Sequence, residues 1–387
     1  MLDIPSHAVA LSRPLALGSG SLRVAVKECI AVAGLPTRCG SPALQDSPPQ
    51  AAHARVVEAL LAAGCAILGT ANMHELAFGV TGVNAFLGTP VNPNWPARIP
   101  GGSSSGSAAL VAAGTCDFTV GTDTGGSVRM PACCCGVFGL KPTFGRIDRT
   151  GTLPAESSLD CIGPLAASAG MLARAMECLD PTFRRADAAG PFQLVRIEAE
   201  AAGDVAAAFA GALAGVATRP GLLPCMRPAY EAGLVVIDAE AGRAYGALAA
   251  SGAPMDETVR ARILQAVKSF SPGALERAEA VRRAFRAEVD RALESADALV
   301  LPTMPVVPPT LEEARDMRAL IPLTALLRPF NLSGHPALTV PLRTAEGLPA
   351  GLQLVGRHGE DERLCAVAEW LARRIAGEPA NLPGQDR

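Results

Sequence analysis

Phe118-Thr119-Val120-Gly121-Thr122-Asp123-Thr124-Gly125-Gly126-Ser127-Val128-Arg129-Met130-Pro131-Ala132 is the stretch whose reading decides the fold of this chain. Its first residues are aromatic and β-branched, as in a buried strand, and Gly125-Gly126 then turn the chain sharply. Ser127 stands just past that turn. Glycine turns leave successive N–H groups free, and such groups form a concavity for an anion or a developing oxyanion. A strand that delivers a hydroxyl beside such groups is a candidate nucleophile site.

Working outward, a second dense run of Gly and hydroxyl residues lies upstream, Pro100-Gly101-Gly102-Ser103-Ser104-Ser105-Gly106-Ser107-Ala108. It opens an Ala-rich helix expected from about Ser105 to Ala113, stopped near Gly114. A phosphate reading fails on detail, because no Gly-Lys-Ser/Thr follows and no G-x-G-x-x-G succeeds a strand. Gly102-Ser103-Ser104-Ser105-Gly106 also matches a nucleophile elbow centred on Ser104, with Asp160 and His335 or His358 following in order. That elbow needs a strand leading in. Here Pro96 and Pro100 interrupt the approach and cannot donate ladder hydrogen bonds, so the elbow is disfavoured.

A serine nucleophile requires a base. His74 is the nearest histidine in sequence and reads as a structural or pocket residue. Lys27 is the alternative: it closes an apolar strand, Leu22 to Val26, interrupted only by Arg23, and burial there lowers an ammonium pKa. Taken alone, it reads equally well as a strand-end lysine reaching solvent.

Periodicity extends the picture. A strand is expected at Leu22–Ile30, a helix at Pro48–Ala63 and a strand at Cys65–Thr70, a rhythm that implies parallel strands joined by helices. Leu275, Ala278, Val281, Phe285, Val289 and Leu293 recur at helical spacing and mark one long amphipathic helix, followed by a strand at Ala298–Leu301 and a turn punctuated by Pro302, Pro305, Pro308 and Pro309. From Pro181 to Pro254 the sequence is Ala-rich and weakly patterned. Among 387 residues, 34 basic against 37 acidic side chains give a net charge near −3, no field for steering onto nucleic acid or an anionic membrane. The 49% hydrophobic content is broken every few residues, so no spanning helix is expected. Met1 to Pro14 lacks the pattern of a secretion signal, and a cytoplasmic location is expected. Eleven cysteines in no framework spacing read as reduced thiols, and Cys133, Cys134 and Cys135 offer no C-x-x-C pair for a metal.

Val26-Lys27-Glu28-Cys29-Ile30, Val32-Ala33-Gly34-Leu35-Pro36-Thr37 and the two serine runs together resemble the amidase signature family, in the order that family shows. Asn72-Met73-His74-Glu75, Gly88-Thr89-Pro90-Val91-Asn92-Pro93, Ser158-Leu159-Asp160, Leu301-Pro302-Thr303, Asn331-Leu332-Ser333-Gly334-His335-Pro336-Ala337 and Gly351-Leu352-Gln353-Leu354-Val355-Gly356 fit as well. The short start is similar to that of indole-3-acetamide hydrolase type members. Glu28 and His74 depart from the family, many of whose members carry Asp there.

The resemblance implies an α/β fold: one large domain over residues 1–387 with a mixed central sheet covered by helices on both faces, a signature core at about 22–165 and a variable middle at about 181–297. It implies an amidase with Ser127 as nucleophile, Ser103 as relay after a cis peptide at Gly102, and Lys27 as base. The oxyanion would meet backbone N–H groups of Thr124, Gly125, Gly126 and Ser127, while Ser104, Asp123 and Arg129 support the loop. No metal or organic cofactor is expected. Met73, Phe78 and Met130 are candidate pocket residues for a compact apolar acyl group. The expected partner is a small-molecule amide, with no nucleic acid and no membrane, and a homodimer is left open. Two alternatives stand beside this reading: the glutamine-hydrolysing component of a tRNA-dependent amidotransferase, disfavoured by the short start and middle, and a catalytically silent binding protein on the same scaffold.

Overall fold

The computed structural model describes residues 9–377, so the stretch read for a secretion signal lies outside the described residues as far as residue 8. Among the described residues, eleven strands form one mixed sheet, in the order β1-β3-β2-β4-β6-β5-β10-β11-β9-β7-β8. In chain order these are β1 Leu11–Leu17, β2 Leu22–Lys27, β3 Cys65–Ala71, β4 Phe118–Asp123, β5 Phe138–Lys141, β6 Cys161–Ala166, β7 Leu194–Ile197, β8 Thr218–Gly221, β9 Ala298–Pro302, β10 Ala337–Arg343 and β11 Pro349–Val355. The helices are α1 Arg55–Ala62, α2 Ser105–Ala112, α3 Arg129–Cys135, α4 Ala169–Leu179, α5 Gly203–Ala212, α6 Met226–Ala250, α7 Glu257–Ser269, α8 Pro272–Leu293, α9 Met317–Leu320, α10 Arg328–Ser333 and α11 Asp361–Ile375.

Both faces of the sheet are covered, and β9 shows it residue by residue. Ala298 and Val300 join the core that includes α4 and α11, whereas Leu299 and Leu301 join the core under α6, α8 and α10. Successive strand side chains point to opposite faces, so a continuous apolar run such as Ala-Leu-Val-Leu is what a strand buried on both faces requires.

Two boundaries differ from the periodicity. The expected strand Leu22–Ile30 stops at Lys27, because the chain turns there and Ile30 N donates back to Lys27 O at 2.9 Å. The expected helix Pro48–Ala63 begins only at Arg55. Residues before it instead pair with the loop after β2, Gln50 N donating to Leu35 O and Ala54 N to Ala31 O, both at 2.9 Å. The weakly patterned middle contains the 25-residue helix α6.

Parallel pairing places the site. β2 lies between β3 and β4 and runs parallel to both, with Lys27 opposite Ala71 and Val26 opposite Val120. The carboxyl ends of β2 and β4 therefore emerge side by side, where open α/β sheets hold their ligands.

Candidate active site

Lys27 is the last residue of β2 and is fully buried. Its Nζ donates to Ser103 Oγ at 2.7 Å, Thr122 Oγ1 at 2.8 Å and Thr122 O at 3.4 Å, and among the described residues it has no carboxylate partner. A buried ammonium without an ion-pair partner is expensive. Burial accordingly pushes the Lys27 pKa below its ordinary value, against smaller upward pulls from Cys29, Asp160 and Asp123. The amine is thus biased toward its neutral, proton-accepting form.

Ser103 follows a cis Gly102–Ser103 peptide, and its carbonyl accepts the His74 N–H at 3.0 Å. Ser104 donates its N–H to Ser127 O at 3.3 Å and its hydroxyl to Thr122 O at 3.3 Å, tying the two serine segments together. The helix α2 behind them can approach only because residue 106 is glycine: a Cβ there would lie 2.4 Å from Ala10 O and 2.5 Å from Asn72 N. The side chain of Ser127 makes no hydrogen bond among the described residues, so no hydrogen bond joins the Ser103 and Ser127 hydroxyls directly.

The turn that presents Ser127 is built around Asp123. Its carboxylate accepts Gly126 N at 2.8 Å, Val128 N at 3.1 Å and Arg129 N at 3.3 Å. Arg129, fully buried, donates Nε and Nη2 to the same carboxylate at 3.0 and 2.9 Å and reaches Gln353 Oε1 at 2.7 Å and Asn331 Oδ1 at 2.6 Å. Burial raises the Asp123 carboxyl, but the Arg129 charge, the hydrogen bonds from Arg129 and Asn331 and the Lys141 charge together outweigh it and hold Asp123 below the usual carboxylate range. The Gly126 N–H is therefore committed to Asp123, which corrects its expected place among oxyanion donors. Thr124, Gly125 and Ser127 keep N–H groups without an acceptor among the described residues. Asp123→Ala is expected to destabilise the fold by about 3–5 kcal/mol, since it strands a buried guanidinium, and urea unfolding measures it.

A cavity of about 670 Å³ lies beside these turns: its wall residues Gly79 and Val80 neighbour Gly102 and its wall residue Arg328 neighbours Gly125, while Lys27, Ser103 and Ser127 are not among its walls. His74, Val80, Thr324 and Arg328 are among its walls. A Cβ on Gly125 would lie 3.7 Å from Arg328 Nε, which puts that guanidinium beside the serine turn. Of the three pocket residues expected from sequence, Phe78 lines the cavity, beneath the guanidinium of Arg262 at 4.5 Å. Met73 and Met130 do not; each is fully buried in a core cluster, where an unbranched apolar side chain fills gaps. The cavity is instead charged. Glu75, Asp256, Arg262, Arg315 and Arg328 line it, and burial lowers the pKa values of Arg262 and Arg328. His74 also lines the cavity, its Nδ1 3.4 Å from Thr81 Oγ1 and its pKa pushed down to about 4 by burial, so the ring is neutral near pH 7. Glu28, the other departure, is held by Arg38 and by Gly40 N at 3.1 Å.

The sequence profile of the family described as Amidase matches residues 21–205 and 238–365. The A subunit of glutamyl-tRNA(Gln) amidotransferase from Halobacterium salinarum is 36% identical, over 89% of this chain and 93% of that protein. A crystal structure of an amidase superposes with a TM-score of 0.83 at 33% identity, covering 92% of this chain and 85% of the other. The A subunit of glutamyl-tRNA(Gln) amidotransferase from Thermotoga maritima superposes with a TM-score of 0.81 at 29% identity, covering 97% and 89%. The two amidotransferase relatives correct the expectation of a small-molecule amide partner and no nucleic acid, because they are named as subunits and for a tRNA. They also remove the length objection, since the halobacterial protein is matched over nearly all of its own sequence. Among the described residues, no helix is long and apolar enough to cross a membrane.

Proposed function

The chain belongs to the amidase family and is an amide-hydrolysing enzyme, and from that premise we propose that it acts as the glutamine-hydrolysing component of an amidotransferase, releasing ammonia from glutamine. The observation that carries this reading is the match to the halobacterial amidotransferase component over 89% of the chain and 93% of the relative. The charged cavity supports it: free glutamine presents a carboxylate and an ammonium beyond its side-chain amide, and the walls carry both signs, Arg262 and Arg328 for the first and Glu75 and Asp256 for the second.

In this reading neutral Lys27 accepts a proton from Ser103 while Ser103 accepts one from Ser127, whose oxygen attacks the amide carbon. The tetrahedral oxyanion is met by N–H groups of Thr124, Gly125 and Ser127, each typically worth about 3 kcal/mol. The relay then reverses, protonates the departing ammonia and leaves an acyl group on Ser127, which water removes by the same route. The Ser103–Ser127 hydrogen bond forms with substrate bound, as catalytic contacts that are loose without substrate often do. Asp123, Arg129 and Ser104 hold the turn.

The test is ammonia release from L-glutamine by the purified chain, alone and together with the companion subunits of a related amidotransferase and glutamyl-tRNA(Gln). Glutamine hydrolysis, with amide transfer to the tRNA in the complete mixture, is expected. Rapid turnover of an uncharged amide with none of glutamine in either mixture overturns the glutamine reading and leaves the amidase assignment intact.

A further inference from the structure

Arg328 is a buried cation with more donors than the described residues satisfy. It opens α10, is only 9% exposed, and its Nε and Nη1 have no hydrogen-bond partner among the described residues. Only Nη2 is engaged, donating to Thr324 Oγ1 at 2.9 Å, while the guanidinium lies over the Tyr230 ring at 4.3 Å. Tyr230 is itself fixed, its hydroxyl donating to Ile321 O at 2.9 Å. The side chain is held between α6 and the loop before α10, with two buried donors unpaired among the described residues beside the cavity that Arg328 lines. Buried polar groups in folded proteins are paired almost without exception, so two orphaned donors on one buried cation indicate an absent acceptor. Arginine donors form a planar fork that suits a carboxylate. Room has been made for this residue: a Cβ on Gly233 of α6 would lie 2.9 Å from Arg328 Cγ.

We infer that Arg328 anchors a carboxylate on the acyl portion of the substrate and so sets the specificity of the site, selecting ω-amides of short dicarboxylic or amino-dicarboxylic acids over uncharged amides. The inference rests on the amide-hydrolase reading of the same site and deepens it. Because Arg328 Nε lies beside Gly125, the anion it binds sits next to the turn that would hold the oxyanion, and binding it there positions the scissile carbonyl. Arg262, over Phe78 and with its Nη1 donating to Phe78 O at 3.1 Å, adds a second positive charge on the same wall.

The experiment measures kcat/KM for L-glutamine, succinamate and glutaramate against their uncharged counterparts butyramide and valeramide, in the natural protein and in Arg328→Gln and Arg328→Lys. The natural protein is expected to prefer the best carboxylated amide over its uncharged counterpart by more than about 100-fold, as sites built to pair a polar substrate group do. Arg328→Gln is expected to reduce that ratio at least about 30-fold, mainly through KM, and Arg328→Lys, which keeps the charge but not the fork, to restore part of it. The ratio is internal to each variant, so a loss of folded protein does not alter it. An unchanged ratio in Arg328→Gln, or a natural protein indifferent to the carboxylate, overturns the inference. Arg328-dependent turnover of succinamate without turnover of glutamine sustains the inference while removing the glutamine reading; glutamine turnover indifferent to Arg328→Gln does the reverse.

Discussion

Ser127→Ala is expected to lower kcat for amide hydrolysis by about 10⁵ to 10⁶, the scale seen when a catalytic serine is removed, while leaving the fold standing. The Ser127 side chain makes no hydrogen bond among the described residues, so its removal breaks nothing in the turn, and the Asp123 contacts to Gly126 N and Val128 N persist. Stability within about 0.5 kcal/mol of the natural protein is therefore expected in urea unfolding. Ammonia release with the natural substrate measures the first quantity. Natural rates in Ser127→Ala would remove the mechanism altogether.

Lys27→Met is expected to lower kcat by about 10³ to 10⁴, the upper range for loss of a general base. Its effect on stability has the opposite sign from that of an ordinary buried salt-bridge residue. Burial depresses the folded pKa of Lys27 below its ordinary value, so across the interval between folded and unfolded pKa the unfolded chain binds the extra proton. Stability then rises with pH through that interval, and below it the buried ammonium carries its full cost. Lys27→Met removes the cost and is expected to be at least as stable as the natural protein at neutral pH, with a flatter pH dependence above it. The natural enzyme's kcat/KM is expected to increase with pH until the folded Lys27 pKa is passed. A destabilised Lys27→Met protein, with a rate that falls as pH rises, would mark Lys27 as a charged structural partner instead.

The parts of this molecule that are legible in its sequence are those whose signal is local. The strand, glycine pair and hydroxyl at Phe118 to Ser127 are one continuous stretch, and β-branched residues, turn glycines and a following helix speak the same conformational language. Lys27 stands out as an ammonium closing an apolar strand, yet taken alone it reads equally well as a strand-end lysine, and the family resemblance decides between the two. The link from Lys27 to Ser103 is carried by family resemblance, since the contact spans 76 residues and leaves no periodic trace. The roles of Asn331 and Gln353 are hidden for the same reason. Both stand in stretches that fit the family, but their contacts to Arg129 join positions 202 and 224 residues apart. The pocket differs from its sequence reading because apolar side chains say only that they are buried; Met73 and Met130 belong to the core, and the cavity takes its chemistry from Tyr230, Arg262 and Arg328. Helix α6 leaves little signal because it packs against α7, α8 and α10 through small residues such as Ala229, Ala232 and Gly233, which carry little hydrophobic contrast around a helix.

The most direct measurement is peptide mass mapping of the enzyme quenched during turnover, with hydroxylamine partitioning of the acyl group run in parallel. An acyl adduct on Ser127 is expected, lost in Ser127→Ala, with hydroxamate formed at the expense of free acid. An adduct on another residue, or undiminished amide hydrolysis with no acyl transfer to hydroxylamine and no dependence on Ser127, would contradict the mechanism.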